Sequence, residues 1–395
     1  MNDRSFLEKL LDGASVVSRP LEDTVHIQRG KRLVKSQLEE SGAFAVYQNS
    51  MTPLGYYHEP NVQPDSAFIV CAGAAGEIGY SESAFWAADD VHFFEPPDTV
   101  LSKYLYHWLL TQQPKIRAQV RRASIPRLSK SVVAGLNFPI PCPEEPEKSL
   151  AIQAEIVRIL DSFTELTAEL TAELKARKQQ YNYYRDELLS HPSGNMAWKP
   201  LGWVGEVRMC KRVMKNQTSA DGDIPFFKIG TFGREPNAFI SRELFEEFKR
   251  KYSYPKVGEV LISASGTIGR SVVFDGEEAY FQDSNIVWLE NDESKVLNKY
   301  LFYFYQIAKW HVSDGGVIKR LYNDNIKKTL IAVPYPDDPE KSLEEQARIV
   351  AILDKFDTLT TSLSEGLPRE IKLRQQQYEY YRDLLLSFPK PEEAA

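Results

Sequence analysis

Apolar positions along Ser149–Ser190 fall at Ile156, Ile159, Phe163, Leu166, Leu170 and Leu174, then continue through Arg177, Tyr181, Tyr184 and Leu188. The steps alternate between three and four residues, a near-heptad seam that predicts one long amphipathic helix. The pattern returns over Ser342–Ser387 at Ile349, Ile352, Phe356, Leu359, Leu363, Leu367 and Ile371, then Arg374, Tyr378, Tyr381 and Leu385. It differs by one additional four-residue step, a stutter that shifts a seam without destroying it. Ser342 with Glu345 predicts a capping box, and Ser149, facing Ile152, is expected to cap alone. Gly366 and Pro368 interrupt only the second copy and predict a kink or break there.

The repeat is wider than the helix. Arg19-Pro20-Leu21 matches Lys199-Pro200-Leu201, and Lys31-Arg32-Leu33-Val34-Lys35 matches Lys211-Arg212-Val213-Met214-Lys215. Gly76-Glu77-Ile78-Gly79 matches Gly266-Thr267-Ile268-Gly269, and Arg127-Leu128 matches Arg320-Leu321, always in the same order. The chain therefore reads as two tandem units, each a head followed by a helix. Within the heads, alternating β-rich runs (43–47, 67–71, 224–229, 259–263, 271–274 and 285–289) predict short strands. Val100–Leu110 and Val296–Ile307 predict short aromatic helices. The fold class is α+β: two mixed α/β heads joined by two long helices. A helix of ~42 residues is about 63 Å long, too long for one small head to cover. Its simplest partner is its own repeat, packed antiparallel as a coiled coil with pseudo-two-fold symmetry. The expected boundaries are 1–140, 141–195, 196–333 and 334–395.

The 395 residues carry a net charge of −7, which argues at first against a polyanionic ligand. The acid is concentrated on the repeated helices, −4 over 141–190 and −5 over 334–395, whereas 191–333 carries +3. A nucleic-acid footprint is a local patch, so the total does not exclude one. Three scattered cysteines give no disulfide framework or zinc spacing. No apolar run spans a bilayer, and the N-terminal segment has no signal-peptide core, so a cytoplasmic location away from membranes is expected. No phosphate loop, HExxH or [DNS]PP[YFW] tetrapeptide is present, and no catalytic residue or metal ligand is expected.

Two basic clusters recur in the heads. Arg29, Lys31, Arg32 and Lys35 stand with Gln48 and Asn49 in the first, and Lys211, Arg212, Lys215 and Lys228 in the second. A later segment carries Arg117, Arg121, Arg122, Arg127 and Lys130 in the first head, and Lys319, Arg320, Asn323, Lys327 and Lys328 in the second. Duplex DNA needs cations for phosphates, and Arg, Asn or Gln for base edges. Off the helical seam, Tyr183, Arg185, Tyr380 and Arg382 are candidates for docking a partner protein.

The prolines before each helix (Pro141, Pro143; Pro334, Pro336), the PEKS turn, the Leu-Asp pairs (160–161, 353–354), the YYRD end and the tandem TAEL blocks (167–174) resemble the specificity subunit of type I restriction–modification enzymes. That resemblance covers essentially the whole chain. It implies that each head is a target-recognition domain reading half of a bipartite, asymmetric DNA site. It implies that the helices space the heads and dock two adenine-methylating methyltransferase subunits, and that restriction subunits join through the complex. S-adenosylmethionine, ATP and Mg would then sit on partner subunits, with no cofactor and no catalytic centre in this chain. The alternative is a protein-binding scaffold with a helical spacer and no DNA role.

Overall fold

The computed structural model describes residues 9–191, 195–312 and 319–388. The chain forms two compact units, one of residues 1–171 with 370–395 and one of residues 172–369.

In the first unit the strands are β1 (Val16–Pro20), β2 (His26–Arg29), β3 (Phe44–Tyr47), β4 (Gly55–Tyr57), β5 (Ser66–Val70), β6 (Ile78–Ser81), β7 (Trp86–Ala87), β8 (Val91–Glu95) and β9 (Asn137–Pro141). The helices are α1 (Ser102–Ala118), α2 (Lys130–Ala134) and the start of α3 (Pro146–Ser190). An antiparallel sheet runs β2-β8-β5-β6, a second runs β4-β3-β7 with β3 and β7 parallel, and β1 pairs with β9. β5 is buried at every position, so it reads as a continuous apolar run rather than an alternating one.

The second unit holds β10 (Met196–Pro200), α4 (Leu201–Val204), β11 (Gly205–Arg208), β12 (Ile224–Phe227), β13 (Phe239–Ile240), α5 (Arg242–Lys251), β14 (Val260–Ser263), β15 (Ser271–Val273), β16 (Tyr280–Phe281) and β17 (Ile286–Asn291). It continues with α6 (Asn298–Tyr305), α7 (Asn323–Lys328), β18 (Leu330–Pro334) and α8 (Pro339–Thr361). Its sheets are β11-β17-β14-β15, β13-β12-β16 with β12 and β16 parallel, and β10-β18. The two heads therefore share one topology, strand for strand. The second head inserts α5, a helix with no counterpart among the described residues of the first.

Each head is fastened to a repeated helix by the same side chains. Gln153, fully buried on α3, accepts from the Leu101 amide (2.9 Å) at the start of α1 and donates to the Thr99 carbonyl (3.0 Å). Gln346 on α8 does the same for Leu297 (2.9 Å) and Lys295 (3.1 Å) at the start of α6. A helix N-terminus has unpaired amides, and a glutamine from a neighbouring helix satisfies one here. Two turns on, Lys103 meets Asp161 (3.0 Å) and Lys299 meets Asp354 (3.0 Å). The buried His107 ring lies between Asp161 (3.0 Å) and the Tyr378 hydroxyl (2.9 Å), whereas Tyr303 donates to Asp354 at the matching place. Burial raises the Asp161 carboxyl, but hydrogen bonds from His107 and Lys103 outweigh it and leave the group below the usual carboxylate range.

The capping box is not formed. α8 begins at Pro339, with the Asp338 carboxylate accepting from the Lys341 amide (3.2 Å). Ser342 lies inside the helix, where its hydroxyl accepts from Gln346 (3.1 Å), and Glu345 pairs with Arg348 (2.7 Å). Ser149 likewise lies inside α3, its hydroxyl accepting from Gln153 (3.1 Å).

The first repeated helix is unbroken over 45 residues. The second divides into α8 and α9 (Leu367–Leu386). Pro368 does not sit at the fracture but in the first turn of α9, where its missing N–H leaves nothing unpaired. Gly366 makes the turn: a Cβ there would come within 2.3 Å of the Thr358 carbonyl oxygen and 2.7 Å of that of Leu359. The Ser362 hydroxyl completes it by accepting from the amides of Ser364 (3.3 Å) and Glu365 (3.1 Å). Leu363, expected on the buried seam, lies in this turn and is 76% exposed. Gly366→Ala should lower the stability of the second unit by about 1–3 kcal/mol, because backbone must move to admit the methyl. An unchanged denaturant midpoint would contradict that close approach.

In the first unit, Ile152, Ile156 and Leu160 of α3 share a core with Leu385 and Leu386 of α9, and Phe163 stacks on Tyr381 (5.3 Å between centroids). Residue numbers rise on one helix as they fall on the other, the sign of antiparallel packing. In the second unit, Tyr181 and Leu189 of α3 share a core with Ile349 and Leu353 of α8, and Tyr184 stacks on Phe356 (5.9 Å).

Candidate nucleic-acid interface

In the second head the apolar core sets the position of the first basic cluster. Cys210 is buried, its thiol pushed up to about 12 by burial, and the Lys211 amide donates to the Tyr280 hydroxyl (3.1 Å). The chain then leaves the core in a single 3-10 turn, Lys215–Gln217, closed by the Gln217 side chain accepting from the Met214 amide (2.8 Å). That turn exposes Lys211, Arg212 and Lys215 together. In the first head, Gln37 accepts from the Val34 amide (3.1 Å) and exposes Lys31, Arg32 and Lys35 in the same way.

The second basic segment reaches the same place by a β-bridge. Arg320 bridges Ser265, and the Leu321 amide donates to the Ala264 carbonyl (2.8 Å). In the first head, Arg127 bridges Ala72 and the Leu128 amide donates to the Cys71 carbonyl (2.8 Å). The repeated Arg-Leu pair is thus a lock onto the strand that precedes the GxIG turn. That turn is tight, with Gly266 and Gly269 at φ of 65° and 83°.

Between the two basic segments of the second head stands a turn, Gln282–Asn285, that no repeat or motif in the sequence marks. Its Gln282 side chain accepts from the Ile229 amide (2.9 Å), and Asn285 accepts from the Ser265 hydroxyl (2.8 Å). Asp283 pairs with Arg212 (2.9 Å), and the Ser284 carbonyl accepts from Arg320 (2.8 Å). On one side lies a concavity of about 280 Å³, lined by Arg212, Lys215, Thr218, Lys228, Gln282, Asp283 and Asn285. On the other lies a cleft of about 470 Å³ with Arg320, Tyr322 and Asn323 on its wall. Lys211 faces Tyr252 at the end of α5 (5.0 Å to the ring centre), which brings the inserted helix beside the cluster. Lys319 is exposed. Lys327 instead pairs with Glu206.

The first head builds its version from different side chains. Arg29 donates through Nε to the Asp89 carbonyl (2.7 Å), on the turn before β8 that matches Gln282–Asn285. Asn49 is exposed and its carbonyl accepts from the Ala74 amide (2.9 Å), while the neighbouring Gln48 is half-buried. Arg121 and Arg127 pair through their backbones, so that Arg121, Arg122 and Arg127 project from one exposed hairpin. Lys130 donates to the Ile27 carbonyl (2.9 Å), and Arg117 pairs with Glu77 (2.7 Å), so both are engaged within the head. His92, buried beside these cations, is held neutral by burial, then by Lys130 and Arg29; its Nδ1 has no partner among the described residues.

The four partner-docking candidates separate by type. Tyr183 is 65% exposed and Tyr380 is 52% exposed. Arg185 and Arg382 are half-buried, lie over the Tyr181 and Tyr378 rings (5.5 and 5.6 Å) and pair with Asp186 and Asp383 (2.8 and 2.7 Å), so they are occupied within their own helix. Among the described residues no cluster of His, Cys, Asp or Glu could hold a metal, and no helix is long and apolar enough to cross a membrane.

The sequence profile of the type I restriction modification DNA specificity domain matches twice, at residues 15–177 and 195–373. The chain is 48% identical, over 98% of its length and 99% of the relative's, to a putative type I restriction enzyme specificity subunit of Haemophilus influenzae. It is 37% identical to the EcoR124I/EcoR124II type I restriction enzyme specificity subunit of Escherichia coli, over 99% of both chains. Its fold is similar to the S subunit of a type I restriction–modification system from M. genitalium, with a TM-score of 0.57 at 15% identity over 96% of this chain and 98% of that one. A chain from a structural study of complex assembly in the type I system matches with a TM-score of 0.60 at 15% identity, covering 94% of this chain and 97% of that one. Two copies of one head, two copies of one helix and this likeness over the full length together place the chain in the family of type I restriction–modification DNA specificity subunits.

Proposed function

We propose that each head reads one half of a split, asymmetric duplex DNA site through the surface built around its KRxxK turn. The repeated helices set the gap between the half-sites and dock two methyltransferase subunits. Restriction subunits join through that complex, and S-adenosylmethionine, ATP and Mg act on those partners. One observation carries the reading: both heads expose the same KRxxK cations at the same point of the same topology, yet surround them with different side chains, Gln48 and Asn49 in the first and Gln282, Asp283 and Asn285 in the second. Shared position supports a common task, and divergent side chains support different base sequences.

Exchanging residues 1–140 for the matching head of another specificity subunit should change one half-site and leave the other intact. Sequencing methylated positions in DNA from cells carrying the system reads this directly. A change in both half-sites would reject independent reading by the heads. Absence of salt-sensitive duplex binding by the methyltransferase complex, even at low ionic strength, would reject the DNA role.

A further inference from the structure

We infer that Arg212, held by Asp283, reads a guanine in the half-site of the second head. The inference rests on the DNA-recognition role proposed above. Arg212 spends its Nε on the Asp283 carboxylate (2.9 Å), which leaves both terminal nitrogens of the guanidinium fork free of that contact. The carboxylate is recessed, with its side chain 17% exposed, while the Arg212 side chain is 67% exposed. The fork is therefore steadied from behind and open in front. That is the arrangement a bidentate contact to guanine O6 and N7 requires, since five donors in a fixed plane match two adjacent acceptors.

The platform beneath is tied at several points. The Ile286 amide donates to the Gln282 carbonyl (3.0 Å), Gln282 is fixed on Ile229, and Asn285 on Ser265. Lys215 and Lys228 line the same concavity with no ion-pair partner among the described residues, as suits a mobile point charge on a phosphate. An aspartate in that wall repels phosphate, so it is a handicap for backbone binding. It becomes useful when it orients an arginine towards a base edge. Arg32, at the matching position of the first head, has no ion pair among the described residues and serves as the internal comparison.

The test uses the assembled complex with its methyltransferase subunits on a library of duplexes that varies every half-site position. Methylated products are sequenced. Arg212→Lys should relax one base pair, a guanine in wild type, within the second half-site, with discrimination falling about 5- to 150-fold. Asp283→Asn should relax the same base pair by less. Arg32→Lys should weaken methylation of all sites alike. If Arg212→Lys instead lowers every site equally, with no single base pair relaxed, the contact is to phosphate and the inference fails. Relaxation in the first half-site, or at different base pairs for the two variants, also overturns it. A wild-type complex that methylates no split site would sink the recognition role itself, a failure distinct from these.

Discussion

Inserting a third TAEL block after Leu174 is expected to abolish methylation of the native site and to create a new site with the same two half-sites and a gap one or two base pairs longer. The existing blocks are structurally equivalent. Thr167 donates to the Phe163 carbonyl (2.8 Å) and Thr171 to that of Thr167 (2.7 Å), while Leu166, Leu170 and Leu174 are all half-buried. α3 passes through them without a break, so a further block should extend it as regular helix. Four residues add about 6 Å, slightly less than two base-pair steps of ~3.4 Å. Each head keeps its own side chains, so the bases read do not change. The readout is the set of methylated sites. A changed half-site with an unchanged gap would show that the blocks act on recognition and not on spacing.

Replacing Gln153 by leucine is expected to destabilise the first unit by about 2–4 kcal/mol, because the Leu101 amide and the Thr99 carbonyl would be left without their partner. Gln346→Leu should do the same to the second unit. Amide exchange gives the residue-level readout: Leu101 should lose protection in the first variant and Leu297 in the second, each without effect on the other. Full protection in both would mean that the glutamines merely fill space. Their burial is complete in both copies, which is why shape alone cannot decide the question.

Much of the fold was legible because period and repetition are local properties. The seam of α3, the strands around Ala67–Val70 and Val260–Ser263 and the aromatic helices α1 and α6 all follow from side-chain spacing. The ends of helices were less legible. Ser342 and Glu345 have the capping-box spacing, but the helix starts four residues earlier because Asp338 captures the Lys341 amide. Pro368 marked the right region, yet the break depends on Gly366 meeting the backbone at Thr358, a close approach that no propensity encodes. The candidate interface divides similarly. Its cations are visible as a repeated KRxxK, while Gln282, Asp283 and Asn285 are remote in sequence and reach Arg212 because β11 pairs antiparallel with β17, Arg208 opposite Trp288. A turn composition such as Gln-Asp-Ser-Asn was readable; which cluster it faces was not.

The glutamine clamp has a consequence for how such a gene can change. Gln153 and Gln346 grip main-chain atoms of α1 and α6, and the lysine-to-aspartate pair beside each clamp recurs, so either head meets the repeated helix through the same anchoring contacts. A crossover between the two coding copies of the repeat would deliver a foreign head onto a joint that it already fits. New specificities can then arise by shuffling whole heads, with few compensating substitutions at the seam, and the lineage can explore DNA sites in large steps rather than base by base.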